Sequence, residues 1–235
     1  MIIDKTAVRN ASTVVVVRDR DHDPHVLMGQ RGSQAAFMPN KFVFPGGAVD
    51  DSDADVPLAE RLPSPCIDRL AEDCAPGLAH PLAVAAIREL WEESGLLIGS
   101  PGDWPDPSAV PADWAGFAET GHLPSARALQ FIFRAITPPG RPRRFDARFF
   151  LVDASEIRGD PDDFSRASEE LSHLQWVRLS EARSFDLPFI TEVVLAELAA
   201  RVADPAPPVS VPFFRNDDEA SLFVRLRGYS PGSDE

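Results

Sequence analysis

The residues most able to do chemistry lie in one stretch of the sequence, from Arg88 to Leu96. If this stretch is helical, its three glutamates fall at positions i, i+3 and i+4, so their carboxylates share one face. They are Glu89, Glu92 and Glu93. Arg88 lies four residues before Glu92 and can brace it. Hard divalent cations such as Mg²⁺ and Mn²⁺ prefer carboxylate oxygens, which makes this face a candidate metal site.

The alternative interpretation is an acidic face in contact with solvent. Two carboxylates about 5.5 Å apart repel each other by about 3 kcal/mol at an effective dielectric constant of about 20. On a fully solvated helix the repulsion is only about 0.2–0.5 kcal/mol per pair, which a protein tolerates easily. Spacing alone therefore leaves both interpretations open.

The surrounding sequence predicts how this helix is held. Four apolar residues at helical spacing form a stripe that would pack against a core. They are Ala83, Ala86, Ile87 and Leu90. Pro81 suits the first turn of a helix, and Gly95 supplies a left-handed end. The sequence therefore predicts one amphipathic helix that is anchored by its apolar stripe.

A second feature lies upstream, from Phe42 to Val49. Alternating apolar residues lead into Pro45-Gly46-Gly47, which predicts a strand that breaks into a loop with unusual backbone angles. The two glycines would let main-chain groups approach a ligand or metal closely. Taken alone, the pattern is also typical of an ordinary turn.

Together the two features resemble the signature of the Nudix hydrolases, Gly-x5-Glu-x7-Arg-Glu-U-x-Glu-Glu-x-Gly-U, in which U is bulky and aliphatic. The second half of the signature matches completely between Arg88 and Leu96, and Gly47 takes the place of its glycine. The first half departs, because 88 − 47 = 41 positions separate these residues where the signature has 6 + 8 = 14. About 27 residues are therefore inserted within the motif, as in a branch that includes coenzyme A diphosphatases.

Two residues stand where the signature has its first glutamate. Counting forward from the glycine gives Asp53, which we interpret as part of a solvated acidic run that starts a helix. Counting back from the arginine gives His80, which we interpret as a cap or surface residue rather than a ligand.

The resemblance implies an α/β fold: an α/β/α sandwich with a mixed sheet, in which the carboxylate helix faces the two glycines. We expect this domain to cover residues 1–203, with an insert at about 50–80 and a C-terminal helix. Residues 204–235 are expected to form a linker and a C-terminal extension. The resemblance also raises homodimerisation, which is common in that family.

The chemistry that the resemblance implies is hydrolysis of a phosphoric anhydride in a nucleoside diphosphate joined to another group. Glu89, Glu92 and Glu93, with the carbonyl of Gly47, would hold Mg²⁺ or Mn²⁺. Arg88 would orient these ligands, and a carboxylate that is not fully engaged as a ligand could take the proton of the attacking water. Which glutamate does so varies within the family, so that assignment stays open.

The substrate is predicted from a partial resemblance to the coenzyme A diphosphatase pattern. Arg31 aligns with the first arginine of that pattern, whereas Ala36 and Asn40 depart from it. Coenzyme A or an acyl-coenzyme A is the leading interpretation; other dinucleotides, nucleotide sugars and nucleoside triphosphates stay open. The basic stretch at 141–144 is either a solvated hairpin tip or a phosphate contact, in which case Arg144 or Arg148 would bind substrate phosphates.

Composition limits the partners. The chain has 235 residues and a net charge of −14, which argues against a nucleic-acid or anionic-membrane surface but not against a phosphorylated small molecule. No run of 18 apolar residues and no secretory signal is present, so we expect a cytoplasmic protein without a membrane span. Cys66 and Cys74 are expected to be free thiols, with a single disulfide as the alternative.

Elsewhere, β-branched and apolar runs predict strands at 12–18, 25–30, 129–136, 145–152 and 174–177. Helices are predicted at 67–74, 180–183 and 191–202. Between 100 and 124 we expect an ordered loop with one helical turn, in which Trp104 and Trp114 pack onto the domain. A stiff linker at 205–208 should precede one strand at 221–227 and a frayed end.

Two other classes of protein remain possible from the sequence. One is a non-catalytic Nudix-like module that binds or senses a nucleotide, although such modules typically lose the glutamates. The other is an interaction domain in which the acidic face is merely solvated. The second predicts no stabilisation by divalent ions.

Overall fold

The computed structural model of this protein describes residues 7–35, 37–204, 208–216 and 221–228. The strands of this part are β1 (Val8–Arg18), β2 (His25–Arg31), β3 (Phe42–Val43), β4 (Gly46–Ala48), β5 (Gly99–Pro101), β6 (His122–Pro124), β7 (Gln130–Ile136), β8 (Arg144–Asp153), β9 (Leu171–Arg178), β10 (Val211–Asn216) and β11 (Ser221–Leu226). The α-helices are α1 (Ser64–Ala71), α2 (Ala79–Ser94), α3 (Ala115–Ala118) and α4 (Phe189–Ala203).

A nine-stranded mixed sheet organises the described residues. Its order is β11-β10-β7-β8-β1-β2-β3, while β4 pairs with β1 and β9 pairs with β2. Strand β1 runs parallel to β8, and β10 runs parallel to β7; the other pairs are antiparallel. Strands β5 and β6 form a separate two-stranded sheet.

Strand β1 lies inside the sheet and is buried on both faces. Val14 and Val16 belong to a core cluster with α2, whereas Val15 and Val17 belong to a second cluster with α4. The alternation arises because successive side chains of a strand point to opposite faces. A continuous β-branched run fits a strand that is covered on both sides. The predicted α/β/α sandwich with a mixed sheet is confirmed.

Helix α2 is anchored as the sequence predicts. All four residues of the predicted stripe are fully buried, and Pro81 lies in the first turn. Gly95 adopts φ 76° and donates its N–H to the carbonyl of Trp91 (2.8 Å), which ends the helix. The helix begins at Ala79, so His80 lies inside it rather than before it. The ring Nε2 of His80 lies 3.0 Å from the carbonyl oxygen of Val56, which ties the helix to the insert.

The insert packs into the core on the α2 side. Its helix α1 covers Ser64–Ala71, so it begins and ends three residues earlier than the predicted helix at 67–74. The shift arises because prolines at 63 and 65 suit a first turn. Val56, Leu62, Cys66 and Leu70 are buried in the same cluster as α2. Cys66 and Cys74 are free thiols, as predicted.

The segment at 100–124 is more regular than the predicted loop. It begins and ends in the β5–β6 pair, which encloses α3 and two short 3₁₀ turns. Trp104 and Trp114 are buried against the domain, as predicted, and the indole of Trp104 donates to the carbonyl of His122 (3.0 Å). Strands β5 and β6 have three residues each, which is too short to show a period of two in the sequence.

The C-terminal part joins the main sheet. Helix α4 and strand β11 lie where the sequence predicts them, but β10 was missed because Pro212 makes its sequence resemble a linker. Val211 and Phe213 are fully buried, so β10 contributes to the α2-side core. Residues 205–207 of the predicted linker and the predicted frayed end at 230–235 lie outside the described residues. The division of the chain at 203/204 stays a prediction.

None of the helices in the described part of the chain is long and apolar enough to cross a membrane.

Candidate functional site

The site is built where strand β4 crosses the C-terminal half of α2. Gly46 and Gly47 are extended and paired with β1, so the predicted loop with unusual angles is wrong. The glycines are needed for close approach instead. A Cβ on Gly46 would lie 2.5 Å from the carbonyl oxygen of Ser12, and one on Gly47 would lie 2.5 Å from the carboxylate carbon of Glu89. Only glycine lets this strand pass directly over the glutamates.

Two of the three glutamates turn toward this strand. Glu93 is 1% exposed, and its Oε2 accepts a hydrogen bond from the backbone N–H of Gly46 (2.7 Å). The carboxylate of Glu89 lies against Gly47. Glu92 is less buried, with a third of its side chain exposed. The structure thus brings together Gly47 and the glutamates that the sequence nominated.

Arg88 is buried at the centre of these carboxylates. Its Nη1 donates to Glu89 (2.9 Å) and to Glu92 (3.1 Å), which confirms the predicted brace. Its Nη2 also donates to the carbonyl of Ala48 (2.9 Å), so the guanidinium joins α2 to β4. We call this group the acidic cluster. Its members are Asp53, Glu89, Glu92 and Glu93 around Arg88.

Asp53 is part of this cluster, and the interpretation of it as a solvated residue is wrong. It is fully buried in a 3₁₀ turn at Asp51–Ala54 and accepts from Nε and Nη2 of Arg88 (2.9 and 3.1 Å). It also accepts from the backbone N–H of Asp50. The insert therefore starts only after the position that supports the arginine, and an aspartate fills that position.

The electrostatics of the cluster raise the pKa of its three glutamates. Burial, opposed by Arg88 and reinforced by the charge of Glu92, raises the pKa of Glu89 to about 7. Burial and the charge of Glu89 raise the pKa of Glu93 well above its usual value. Burial also raises the pKa of Glu92. The positive charge of one guanidinium is thus too small to balance the negative charge of four carboxylates in this buried environment.

These residues fit a divalent cation. Oε1 of Glu93 is buried without a hydrogen-bond partner among the described residues, although a buried carboxylate oxygen normally has one. Hard cations prefer such oxygens. In the described part of the chain, no three acidic, histidine or cysteine side chains already surround a common point. Arg88 occupies two of the glutamates, so the metal ligands stay a prediction.

A cavity of about 740 Å³ opens on the other side of β4, toward α4. Gly46 and Gly47 line it, whereas Glu89 and Glu93 lie beside these glycines and, like Glu92, outside the lining. Its floor is a row of small residues at one register across four neighbouring strands. The row consists of Ala48, Ala11, Ala147 and Ala135. Small side chains here leave a groove that larger ones would fill.

The predicted substrate-binding arginines lie in different places. Arg31 lines the cavity, and its Nη2 lies 3.2 Å from Glu170. Arg144 does not line it; its Nε donates to the carbonyl of Thr137 (3.0 Å). Arg148 is 1% exposed, lies outside the cavity lining and points to the face that packs on α2.

Arg148 belongs to a second buried group of charges, which we call the basic cluster: Arg134, Arg148 and Asp146. Asp146 pairs with both guanidiniums, at 2.7 and 3.1 Å. Arg148 also donates to Asn10 (2.7 Å) and Cys74 (3.2 Å), and burial lowers its pKa. These contacts tie β8 to β1 and to the insert.

Sequence reasoning missed other residues around the cavity. Glu170 lines the cavity, and its charge helps to raise the pKa of Glu89 and of Glu93. Arg141 and Arg143 line the cavity where Arg144 does not. Both lie in the turn before β8, outside the strand whose alternation shows which face a residue takes.

Comparisons with known proteins agree with this geometry. No protein-family model matches the chain. It is 32% identical over 166 residues to a Caenorhabditis elegans protein named as nudix hydrolase 7, covering 66% of this chain and 47% of that protein. It is 30% identical over 213 residues to the Gallus gallus acyl-coenzyme A diphosphatase NUDT19, covering 68% and 55%. The chain thus spans about half the length of these curated relatives.

Among solved structures, the chain is similar to a crystal structure from Alicyclobacillus acidocaldarius described as a NUDIX hydrolase. The two are 29% identical with a TM-score of 0.60, over 83% of this chain and 92% of the other.

Proposed function

This chain belongs to the Nudix hydrolase family, and we propose that it hydrolyses the phosphoric anhydride of a nucleoside diphosphate-linked substrate with a divalent metal ion. The observation that carries the proposal is the acidic cluster at the glycine strand. It holds Glu89 against Gly47 and Glu93 against Gly46, with Glu92 on the same helix turn, and it leaves one buried oxygen of Glu93 without a partner among the described residues. A merely solvated acidic face would have neither property.

Glu89, Glu92 and Glu93, with the carbonyl of Gly47, would hold Mg²⁺ or Mn²⁺. When bound, such an ion supplies neutralisation of the diphosphate charge, a water of lowered pKa and stabilisation of the leaving oxygen. The remaining work falls to the protein. Arg88 fixes the orientation of Glu89 and Glu92 through its hydrogen bonds, and Asp53 fixes Arg88.

Proton transfer from the attacking water requires a carboxylate that is free to accept it. Glu89 has a pKa of about 7 from its burial, which lies near the range where a general base works best. Glu170 lies close enough to influence both Glu89 and Glu93 and also faces the cavity. We propose that the base is one of the carboxylates named here and leave the choice among them to mutagenesis.

The cavity supports coenzyme A or an acyl-coenzyme A as the substrate. Its volume of about 740 Å³ is typical of a site for a molecule of this size, and it reaches the glycine strand at one side. Arg31 would bind a substrate phosphate there. The name of the Gallus gallus relative specifies an acyl-coenzyme A diphosphatase. The contacts that we propose do not include Arg144 or Arg148. Assembly as a homodimer stays a prediction.

The test is a panel of diphosphates assayed for hydrolysis with Mg²⁺, with Mn²⁺ and with EDTA. It should contain acyl-coenzyme A, coenzyme A, a dinucleoside polyphosphate, a nucleotide sugar and a nucleoside triphosphate. We expect metal-dependent turnover that is fastest for a coenzyme A compound. Glu92→Gln serves as the control against contaminating activity. Binding of these compounds without turnover of any would instead support a sensing module.

A further inference from the structure

The charges around the cavity are opposite to those of the chain as a whole. In a chain of net charge −14, the cavity lining contains five basic side chains and one carboxylate, that of Glu170. The basic residues are Arg9, Arg31, Lys41, Arg141 and Arg143. Such a concentration of one sign in a concave surface favours an anionic ligand.

Three of these cations already have a carboxylate partner. The pairs are Arg31 with Glu170 (3.2 Å), Arg9 with Asp50 (3.7 Å) and Lys41 with Asp186. Across the residues that the structure describes, Arg141 and Arg143 have no ion pair and no side-chain hydrogen bond. The uncompensated positive charge of the cavity is therefore concentrated in the turn between β7 and β8.

This turn is exposed to solvent but is fastened at its base. At its base, the backbone N–H of Thr137 donates to the carbonyl of Phe145 (2.8 Å), and Oγ1 of Thr137 accepts from the backbone N–H of Phe145 (3.0 Å). Prolines at 138, 139 and 142 restrict the backbone between these residues. A stiff turn loses little backbone entropy when it binds, so it can present two arginine side chains toward one ligand group.

The turn lies well away from the acidic cluster. Gly47 of β4 and Arg148 of β8 both pair with Ser12 of β1, so they lie at the same register two strands apart. Arg144 lies four residues before Arg148 on β8. Strand geometry then separates the Cα atoms of Gly47 and Arg144 by about 16 Å. One phosphate group cannot contact both places. A ligand that reaches the glutamates and the turn must carry two separate anionic groups.

We propose that Arg141 and Arg143 form a subsite for a phosphate monoester that the substrate carries in addition to its diphosphate. The inference rests on the proposed hydrolase function and deepens it. A phosphate monoester has a charge of about −2 near neutral pH, which matches two guanidiniums, whereas a carboxylate needs only one. Arginine binds phosphate oxygens in a bidentate manner, which adds specificity to the charge attraction. The two residues therefore select which diphosphates enter the groove.

The test uses coenzyme A and 3′-dephospho-coenzyme A, which differ by one phosphate monoester. Isothermal titration calorimetry in EDTA measures binding without turnover. We expect the unaltered protein to bind coenzyme A about 10-fold or more tightly than the dephospho compound. In the R141A/R143A variant the two dissociation constants should become equal. R141K/R143K should keep part of the preference, because lysine retains the charge but not the bidentate geometry.

The matched control is R127A/R178A, which removes the same charge from exposed positions outside the cavity. It should keep the full preference for coenzyme A. Equal affinities in the unaltered protein, a preserved preference in R141A/R143A, or no binding of either compound would each overturn the subsite. A preference in binding without hydrolysis of either compound in Mg²⁺ or Mn²⁺ would overturn the proposed activity and leave the subsite standing.

Discussion

The acidic cluster and the basic cluster are both buried groups of charges, but they balance those charges differently. In the acidic cluster a single guanidinium, that of Arg88, pairs with three of the four carboxylates, whereas Glu93 accepts from the backbone of Gly46. In the basic cluster two guanidiniums share the carboxylate of Asp146. Each cluster therefore has an excess of charge, which is negative in the acidic cluster and positive in the basic cluster.

The excess positive charge of the basic cluster is stabilised by hydrogen bonds to neutral acceptors. Arg134 donates to the carbonyls of Glu72 and Asp73, and Arg148 donates to Asn10 and to the carbonyl of Asp146. Nε of Arg148 is left without a partner in the described residues, but it is one of five donors. The basic cluster is therefore complete within the protein.

The excess negative charge of the acidic cluster is not stabilised in this way. A carboxylate oxygen of Glu93 has no partner in the described part of the chain, and the pKa of three glutamates is raised. Burial and ion pairing alone therefore do not identify a functional site. The informative property is an excess of charge that the protein leaves for something outside itself.

Replacement of Glu93 should have the largest effect and should separate the two clusters most clearly. We expect Glu93→Gln to lower kcat by about 10²- to 10⁴-fold, because it removes a metal-binding charge. Stability without metal should be unchanged or higher, since a buried like charge is lost. Steady-state assays and thermal melts in EDTA measure both quantities. Wild-type turnover by this variant would remove Glu93 from the site.

Replacement of Asp146 should show the opposite pattern. Asp146→Asn leaves two buried guanidiniums without a carboxylate, which should lower the free energy of unfolding by about 3 kcal/mol. In a chain of this size, that change lowers Tm by about 10 °C. The kcat of the folded fraction should not change, because the cluster lies outside the cavity. A loss of kcat with an unchanged Tm would show that the basic cluster acts in catalysis.

Replacement of Asp53 should give an intermediate result within the acidic cluster. Asp53→Asn weakens the paired hydrogen bonds to Arg88, so Glu89 and Glu92 lose their fixed orientation. We expect the Mg²⁺ concentration for half-maximal activity to rise by about 10-fold, while kcat at saturating Mg²⁺ recovers most of its value. Asp53→Glu, which restores the carboxylate, is the control. A fall in kcat that excess Mg²⁺ does not repair would contradict a positioning role.

The smallest effect should appear in the pH dependence of stability. The folded-state pKa of Glu89 is raised to about 7, so the folded protein binds more protons than the unfolded chain between the ordinary glutamate pKa and that value. Stability in EDTA should therefore fall as pH rises through this window. Mg²⁺ should raise Tm more at pH 8 than at pH 5.5, since it compensates the ionised carboxylates.

A thermal-shift series across pH, with and without Mg²⁺, checks this expectation. Glu89→Gln should flatten the dependence in EDTA, whereas Arg127→Ala should not alter it. A Tm that rises with pH in EDTA would contradict the electrostatic account of the acidic cluster.

The position of the carboxylate helix and much of the sandwich follow from the amino-acid sequence alone. Helical spacing placed three carboxylates beside Arg88, and Gly95 ended the helix, because these properties depend only on neighbours in the chain. Periodicity likewise located α4 and the long strands. Strand β10 escaped prediction because Pro212 makes its sequence resemble a linker, although the strand pairs with both β7 and β11.

Which polar residues come into contact depends on the tertiary structure. It buried Asp53 against Arg88, turned Arg148 away from the cavity and left Arg141 and Arg143 beside it. It also gave Gly47 its reason, since the strand must pass directly over Glu89. Side-chain direction on a strand changes with every residue, and a partner across the sheet is invisible in a local pattern. Such choices arise only when distant segments pack together.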